Sequence, residues 1–293
     1  MPTTEPVPAA EPVPVTDTHH HVWDLSAHDQ PFLDSDPALA PLRRNFALAD
    51  LAPQAAALGV TATVLVQTVT EPWETPELLA MAGGLVAGVV GWVDLESPGA
   101  AEQLARLQDL PGGAHLVGIR HPLLGEPDAG WLARPAVRHG LTAMAAAGLA
   151  FDVIGEPRHL PAAARTAAAL PGLQFVLDHL GGPEVAPEVD PAWADAVKAM
   201  AASPNVACKL SGFLGVPAPS GAGTGHLRPY YETALAAFGP GRLMFGSDWP
   251  VSTLETGYGG VLAAARALTA GLSEAEQRAV FSGNARRVYR LPR

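Results

Sequence analysis

Short apolar runs, too dense in Val, Leu, Ile and Phe to alternate with polar residues, recur along this chain with a helix-like stretch between successive runs. Val15–Trp23, Thr61–Gln67, Val86–Leu95, His115–Pro122, Leu149–Ile154, Leu173–Leu180, Asn205–Phe213 and Leu243–Phe245 make eight of them. A strand that is apolar on both faces belongs to a sheet covered on both sides, and a helix between successive strands makes that sheet parallel. The pattern predicts an α/β fold, the (β/α)8 or TIM barrel. An open doubly wound sheet is the competing arrangement. It is disfavoured because no glycine-rich dinucleotide fingerprint follows the first strand, and because polar residues recur at the strand ends all the way round.

The segments between the runs carry their own punctuation. Leu48–Leu58 ends at Gly59, Pro135–Ala147 closes at Gly148, Pro229 opens a helix that ends at Gly239, and Ser273 with Glu276 spells a capping box. With 293 residues, 48% of them hydrophobic, there is ample core for one domain of this kind, expected over 15–293. Met1–Pro14, rich in proline and glutamate, is expected to be a disordered tail; it lacks the basic start and apolar centre of a signal peptide.

Composition narrows the partners. The uncharged stretch Leu78–Val93 is broken by glycines and short of the ~20 apolar residues that cross a membrane. A net charge of -11 leaves no basic stripe to replace counterions around nucleic-acid phosphates. Cys208 is the one cysteine, which rules out an internal disulfide and fits a reducing, cytoplasmic setting. A small-molecule substrate is what these features leave.

In a barrel the C-terminal ends of all strands surround one mouth, so distant positions become neighbours. Those ends offer His19 and His21, Gln67, Asp94, Arg120 and His121, Asp152, Asp178 and His179, Lys209, and Asp248. Side chains alternate along a strand, so His19 and His21 point to one side and His20 to the other. Such a pair is either satisfied within the core or grips a metal. Convergence with His179 and Asp248 favours the second, and three nitrogens with a carboxylate suit a single zinc-like divalent ion.

Asp248 ends the last strand, where a carboxylate either caps a turn or does chemistry. Arg120, His121, Asp94 and Trp23 are the candidates for touching a substrate. The Arg120 guanidinium is equally suited to clamp a carboxylate or polarised oxygen and to bridge to Asp94 or Asp152. Lys209 reads as a structural partner of interior carboxylates, and Trp92 and Trp249 as core or pocket lining. The long connection 24–46 is expected to be functional by its length, and the Gly- and Pro-rich stretch Leu214–Arg228 to cover the mouth.

Six motifs in order carry a resemblance. They are Asp-Thr-His-His-His-Val-Trp at 17–23, Gly-Trp-Val-Asp-Leu at 91–95, Gly-Ile-Arg-His at 118–121, Leu-Asp-His-Leu-Gly-Gly-Pro at 177–183, Cys-Lys-Leu-Ser-Gly at 208–212 and Gly-Ser-Asp-Trp-Pro at 246–250. On these the chain resembles the amidohydrolase superfamily, in the group related to L-fuconolactonase, L-rhamnonolactonase and pyrone-dicarboxylate lactonase. The resemblance implies a barrel that hydrolyses cyclic esters, with Asp248 as general base and His19, His21 and His179 at metal-binding or carbonyl-polarising positions. The bridging Lys or Glu on strand four and the histidine on strand five that two-metal members use have no counterpart in Gly-Ile-Arg-His and Phe-Asp-Val-Ile. One divalent metal or none is therefore expected.

Two other functions share these features. A zinc-dependent decarboxylase or hydrolase of small carboxylic acids would use the same strand-one histidines and strand-eight Asp, but resembles the versions with a strand-five histidine. A non-catalytic binder would have no call for Asp248 beside three histidines.

Overall fold

The computed structural model describes residues 13–215 and 224–292. Eight parallel strands lie in chain order in one sheet: β1 Val15–His20, β2 Val60–Val66, β3 Val86–Gly91, β4 Leu116–Pro122, β5 Ala150–Ile154, β6 Gln174–Leu177, β7 Val206–Leu210 and β8 Leu243–Phe245. The sheet closes on itself. Asp248 N donates to His19 O at 2.8 Å, His21 N to Trp249 O at 2.7 Å, and the Thr18 hydroxyl to Phe245 O at 2.7 Å. The expected (β/α)8 barrel is the observed one.

Helices α1 Leu48–Ala57, α2 Glu74–Ala80, α3 Ala100–Asp109, α4 Pro135–Ala147, α5 Leu160–Ala169, α6 Pro191–Ala201, α7 Arg228–Phe238 and α8 Gly257–Thr269 follow the eight strands. Local chemistry sets their ends. Pro135 supplies the first turn of α4 and Gly148, at φ 73°, its left-handed stop; the Asp190 carboxylate caps α6 by accepting from Ala192 N. The capping box at Ser273 and Glu276 opens a further short helix, Glu274–Arg278.

Two apolar layers result from the alternation of side chains. Residues such as Leu65, Val89, Ile119 and Phe175 face the helices in the larger cluster. Val64, Val66, Val90, Val176 and Met244 pack in a second cluster with Val288, Tyr289 and Leu291, which fill the barrel from the end opposite the mouth.

Several strands stop earlier than their apolar patterns. β1 ends at His20 rather than Trp23, β3 at Gly91 rather than Leu95, β6 at Leu177 rather than Leu180, and β7 at Leu210 rather than Phe213. After β6 and β7 the chain turns through the left-handed region, at His179 (φ 52°), Leu180 (φ 53°) and Gly212 (φ 75°), which takes it off the ladder. Most of the expected tail 1–14 and the centre of the expected cover 214–228 lie outside the described residues.

Candidate active site

Asp17, at the middle of β1, organises the join between the first and last strands. Its carboxylate accepts from Ser247 N at 2.8 Å, from His19 N at 3.1 Å and from the Tyr258 hydroxyl at 3.0 Å. Burial pushes its carboxyl up to about 6 despite these bonds. The Gly246-Ser247-Asp248 turn is thereby pinned to β1, and Asp248, at φ 57°, projects its carboxylate over the histidines.

The strand-one histidines divide as alternation requires. His19 and His21 meet with their Nε2 atoms 3.1 Å apart, while His20 turns to β2 and places Nε2 2.9 Å from the Thr63 hydroxyl. Burial drives the His20 pKa down to about 3, so it stays neutral as a structural side chain. Asp248 Oδ1 lies 3.7 Å from His19 Nε2, 3.6 Å from His21 Nε2 and 4.0 Å from His179 Nε2. His179 is aimed by the Ser211 hydroxyl, 2.8 Å from its Nδ1. Behind it Gly212 leaves room that a Cβ would fill, at 2.6 Å from His179 Cγ.

Beneath these groups lies a buried layer of charge. Arg120 Nη1 is 3.2 Å from Asp178 Oδ2 and 3.3 Å from His19 Nε2, and Nη2 donates to Gln67 O. Lys209 Nζ is 2.6 Å from Asp152 Oδ2 and 3.0 Å from Asp178 Oδ1. The Tyr289 hydroxyl, rising from the barrel floor, donates to Asp152 at 2.7 Å. Two cations thus share two carboxylates out of contact with water, an arrangement that is stable only when every member is paired. Lys209 has the structural role expected of it, whereas Arg120 bridges to Asp178 instead of Asp94 or Asp152. Asp152 lies beside Arg120 in the β4–β5 register, but its Oδ2 is taken by Lys209 and Tyr289.

These contacts set the protonation states. Burial alone would raise Asp248, but His179, His21 and Arg120 outweigh it and hold its carboxyl below the usual carboxylate range. Asp178 is likewise held well below that range, its burial outweighed by Lys209, His19 and Arg120. Burial lowers His179, and burial with the Lys209 charge lowers His19 far below the ordinary imidazole value. An ionised carboxylate therefore sits beside His19 and His179, where burial favours the neutral ring, which suits both a base and a metal ligand.

Above the polar floor is a cavity of about 450 Å³ lined by His21, Thr68, Arg120, His179 and Asp248 below and by Phe32, Leu39, Leu124, Ile154 and Val251 on its walls. Three residues expected near a substrate are elsewhere. His121 points outward because Arg120 before it points inward; it stacks on Trp131 and accepts from Trp92 Nε1 at 3.2 Å. Asp94 is exposed beyond the early end of β3, its Oδ1 accepting from Glu96 N. Trp23 is buried behind the wall, edge-on to Phe32, with Nε1 donating to Arg44 O. The long connection 24–46, marked by its length, supplies Phe32, Ser35 and Leu39 to the mouth. Ser211 and Gly212 carried no sequence signal beyond lying in a motif.

His19 Nε2, His21 Nε2 and Asp248 Oδ1 lie within 4.8 Å of one another, as do donor atoms of His19, Asp178 and His179. The first set fits a divalent ion. His21 Nδ1 lies 2.8 Å from Val66 O, so it carries the hydrogen and leaves Nε2 free to coordinate. The second set faces the Arg120 guanidinium, whose positive charge disfavours another ion there.

The amidohydrolase family model matches residues 16–291. L-fucono-1,5-lactonase of Burkholderia ambifaria is 38% identical over 283 residues, covering 94% of this chain and 96% of that protein. L-fucono-1,5-lactonase of Burkholderia multivorans is 35% identical over 293 residues, with the same coverage of 94% and 96%. A crystal structure of an amidohydrolase from Burkholderia multivorans with bound Zn is 33% identical, covers 95% of this chain and 100% of its own, and superposes with a TM-score of 0.88. By sequence over nearly its whole described length and by the barrel that carries the strand-one histidines and Asp248, the chain belongs to the amidohydrolase family.

Proposed function

We propose that this hydrolase opens a small, uncharged lactone, a sugar-derived aldonolactone or similar cyclic ester, by attack of water with Asp248 as general base. The observation that carries the reading is the placement of Asp248: an ionised carboxylate at the floor of the cavity, with His19, His21 and His179 within 4.0 Å of one oxygen. L-fucono-1,5-lactonases among its relatives point to the same chemistry.

A lactone carbonyl gathers negative charge on its oxygen as water adds. His179 and Arg120 border the cavity beside Asp248 and are the donors for that oxygen, while Asp248 takes the proton of the attacking water. A divalent ion held by His19, His21 and Asp248 would, when bound, supply Lewis-acid polarisation of the same carbonyl. The walls favour a neutral substrate with a hydrocarbon edge. Among the described residues lining the cavity Arg120 is the one Arg or Lys side chain, and Asp178 and Gln67 already engage it, which leaves little to bind a dicarboxylate.

No helix of the described residues is long and apolar enough to cross a membrane. A panel of γ- and δ-aldonolactones assayed with a pH indicator tests the proposal. Acid release from at least one member is expected, and silence across the whole panel would overturn it.

A further inference from the structure

Thr68, the second residue past the end of β2, is half-buried and lines the cavity with Arg120 and Asp248, yet the proposed chemistry gives it no part. Its hydroxyl donates to Glu74 Oε1 at 2.5 Å, in the first turn of α2. The same carboxyl accepts from Thr68 N at 2.7 Å and from Val69 N at 3.1 Å, so the chain leaving β2 wraps a buried acid. Burial raises the Glu74 carboxyl, while these bonds and the Arg120 charge pull it back. A hydrogen on it would take Oε2, whose bond is the longer, so Oε1 accepts in either state.

Thr68 is fixed from both sides. Arg120 Nη2 donates to the Gln67 carbonyl, and the N–H of that same peptide unit is the one Glu74 holds. A threonine hydroxyl has one hydrogen, and here it is committed to Glu74. What Thr68 Oγ1 offers the cavity is lone pairs, enriched by the bond to an acid, and among the described residues no donor fills them. Ser35, elsewhere on the lining, likewise commits its hydroxyl hydrogen, to Phe32 O at 2.7 Å.

The carbonyl and ring oxygens of a lactone only accept, so neither can pair with Thr68. A hydroxyl on the ring can, because it brings the hydrogen. We infer that Thr68 is a specificity-determining residue that accepts a hydrogen bond from a ring hydroxyl of the substrate, selecting hydroxylated lactones over their deoxy counterparts. With that hydroxyl on Thr68, the carbonyl is left for the donors Arg120 and His179. The inference rests on the proposed lactone opening and names the part of the substrate that the cavity reads.

The test compares kcat/KM for an aldonolactone with each of its mono-deoxy counterparts, in wild type, Thr68→Val and Thr68→Ser. In the wild type, removal of one hydroxyl should lower kcat/KM by ~10–100-fold, the usual size for a hydrogen bond backed by a charged group. Thr68→Val keeps the shape and the backbone bonds to Glu74, and should erase that preference by losing rate on the hydroxylated lactone and not on its deoxy partner. Thr68→Ser restores the hydroxyl and should keep the preference. A threonine that only braces the loop would slow both lactones alike. An unchanged ratio in Thr68→Val, or a wild type indifferent to every deoxy position, would overturn the inference. If a melting curve shows Thr68→Val to be unfolded, Thr68→Ala takes its place, since it too leaves the backbone bonds intact. Calorimetric binding of the same lactone pair to Asp248→Asn separates the inference from the lactonase reading. Absence of wild-type turnover overturns that reading alone, whereas equal affinity for the two lactones, or none for either, overturns the role of Thr68.

Discussion

His179 and Asp248 reach the mouth from different strands by the same device: each adopts a left-handed backbone, at φ 52° and 57°, and their side chains meet with Nε2 and Oδ1 4.0 Å apart. Conformations of this kind cost a non-glycine residue of order 1–3 kcal/mol and cluster at working sites. The fold holds both residues there through Ser211 on one side and Asp17 on the other.

Asp248→Asn keeps the shape of the side chain and removes its basicity. Turnover of the best lactone should fall by roughly 10²–10⁴-fold, the usual loss for a missing acid–base catalyst, while melting temperature and product binding stay close to wild type. A variant with near-normal turnover would show that another group, His179 first among them, takes the proton.

The acid limb of the rate profile follows from the same carboxyl. Its pKa lies below the usual carboxylate range, and a general base works in its ionised form, which is present above that pKa. The rate should thus hold down to pH ~4, the ordinary range of a carboxyl, and be lost only below it. Initial rates from pH 3 to 7, each after return to neutral pH to check for unfolding, measure this. A limb centred near 6 would assign the titration to a different group.

Metal content offers an independent check. Purified protein should carry no more than one divalent ion per chain, and His21→Ala should lose it, because the other donor group, His19 with Asp178 and His179, faces the Arg120 cation. Elemental analysis finding two equivalents would contradict the assignment of ligands.

Gly212→Ala alters no group that touches substrate. Its Cβ would stand 2.6 Å from His179 Cγ in a backbone at φ 75°, so the ring must move. Stability should drop by about 1 kcal/mol or more from the left-handed backbone, and turnover should fall together with displacement of the His179 ring signals. Unaltered kinetics and spectrum would mean the turn relaxes without disturbing His179.

The barrel was legible in the sequence because eight buried strands leave eight unalternating apolar runs, and the inward pairing of His19 with His21 followed from strand alternation alone. Less legible was where each strand stops. Apolar residues continue past β1 and β3 into buried loops, so the sequence pattern extends the mouth to Trp23 and Asp94, and proximity to a strand end draws in His121 although Arg120 takes the inward position. Phe32 and Leu39 belong to a connection with no periodicity to expose their role. The partner of Arg120 depends on which carboxylate Lys209 and Tyr289 have already claimed, and that is decided only in three dimensions.

Closure of the barrel between β1 and β8 has a consequence for how the protein comes to life. The bonds that join the two strands, Asp17 to Ser247 and Asp248 to His19, link opposite ends of the sequence and are among its most non-local contacts. Contacts of that span carry the largest loop entropy and slow the search for the native topology. A chain with seven strands in place and the last undocked would have secondary structure and much of its core, yet would lack the Asp248 carboxylate beside the histidines. Recovery of catalysis during refolding is therefore a direct clock for docking of the final strand.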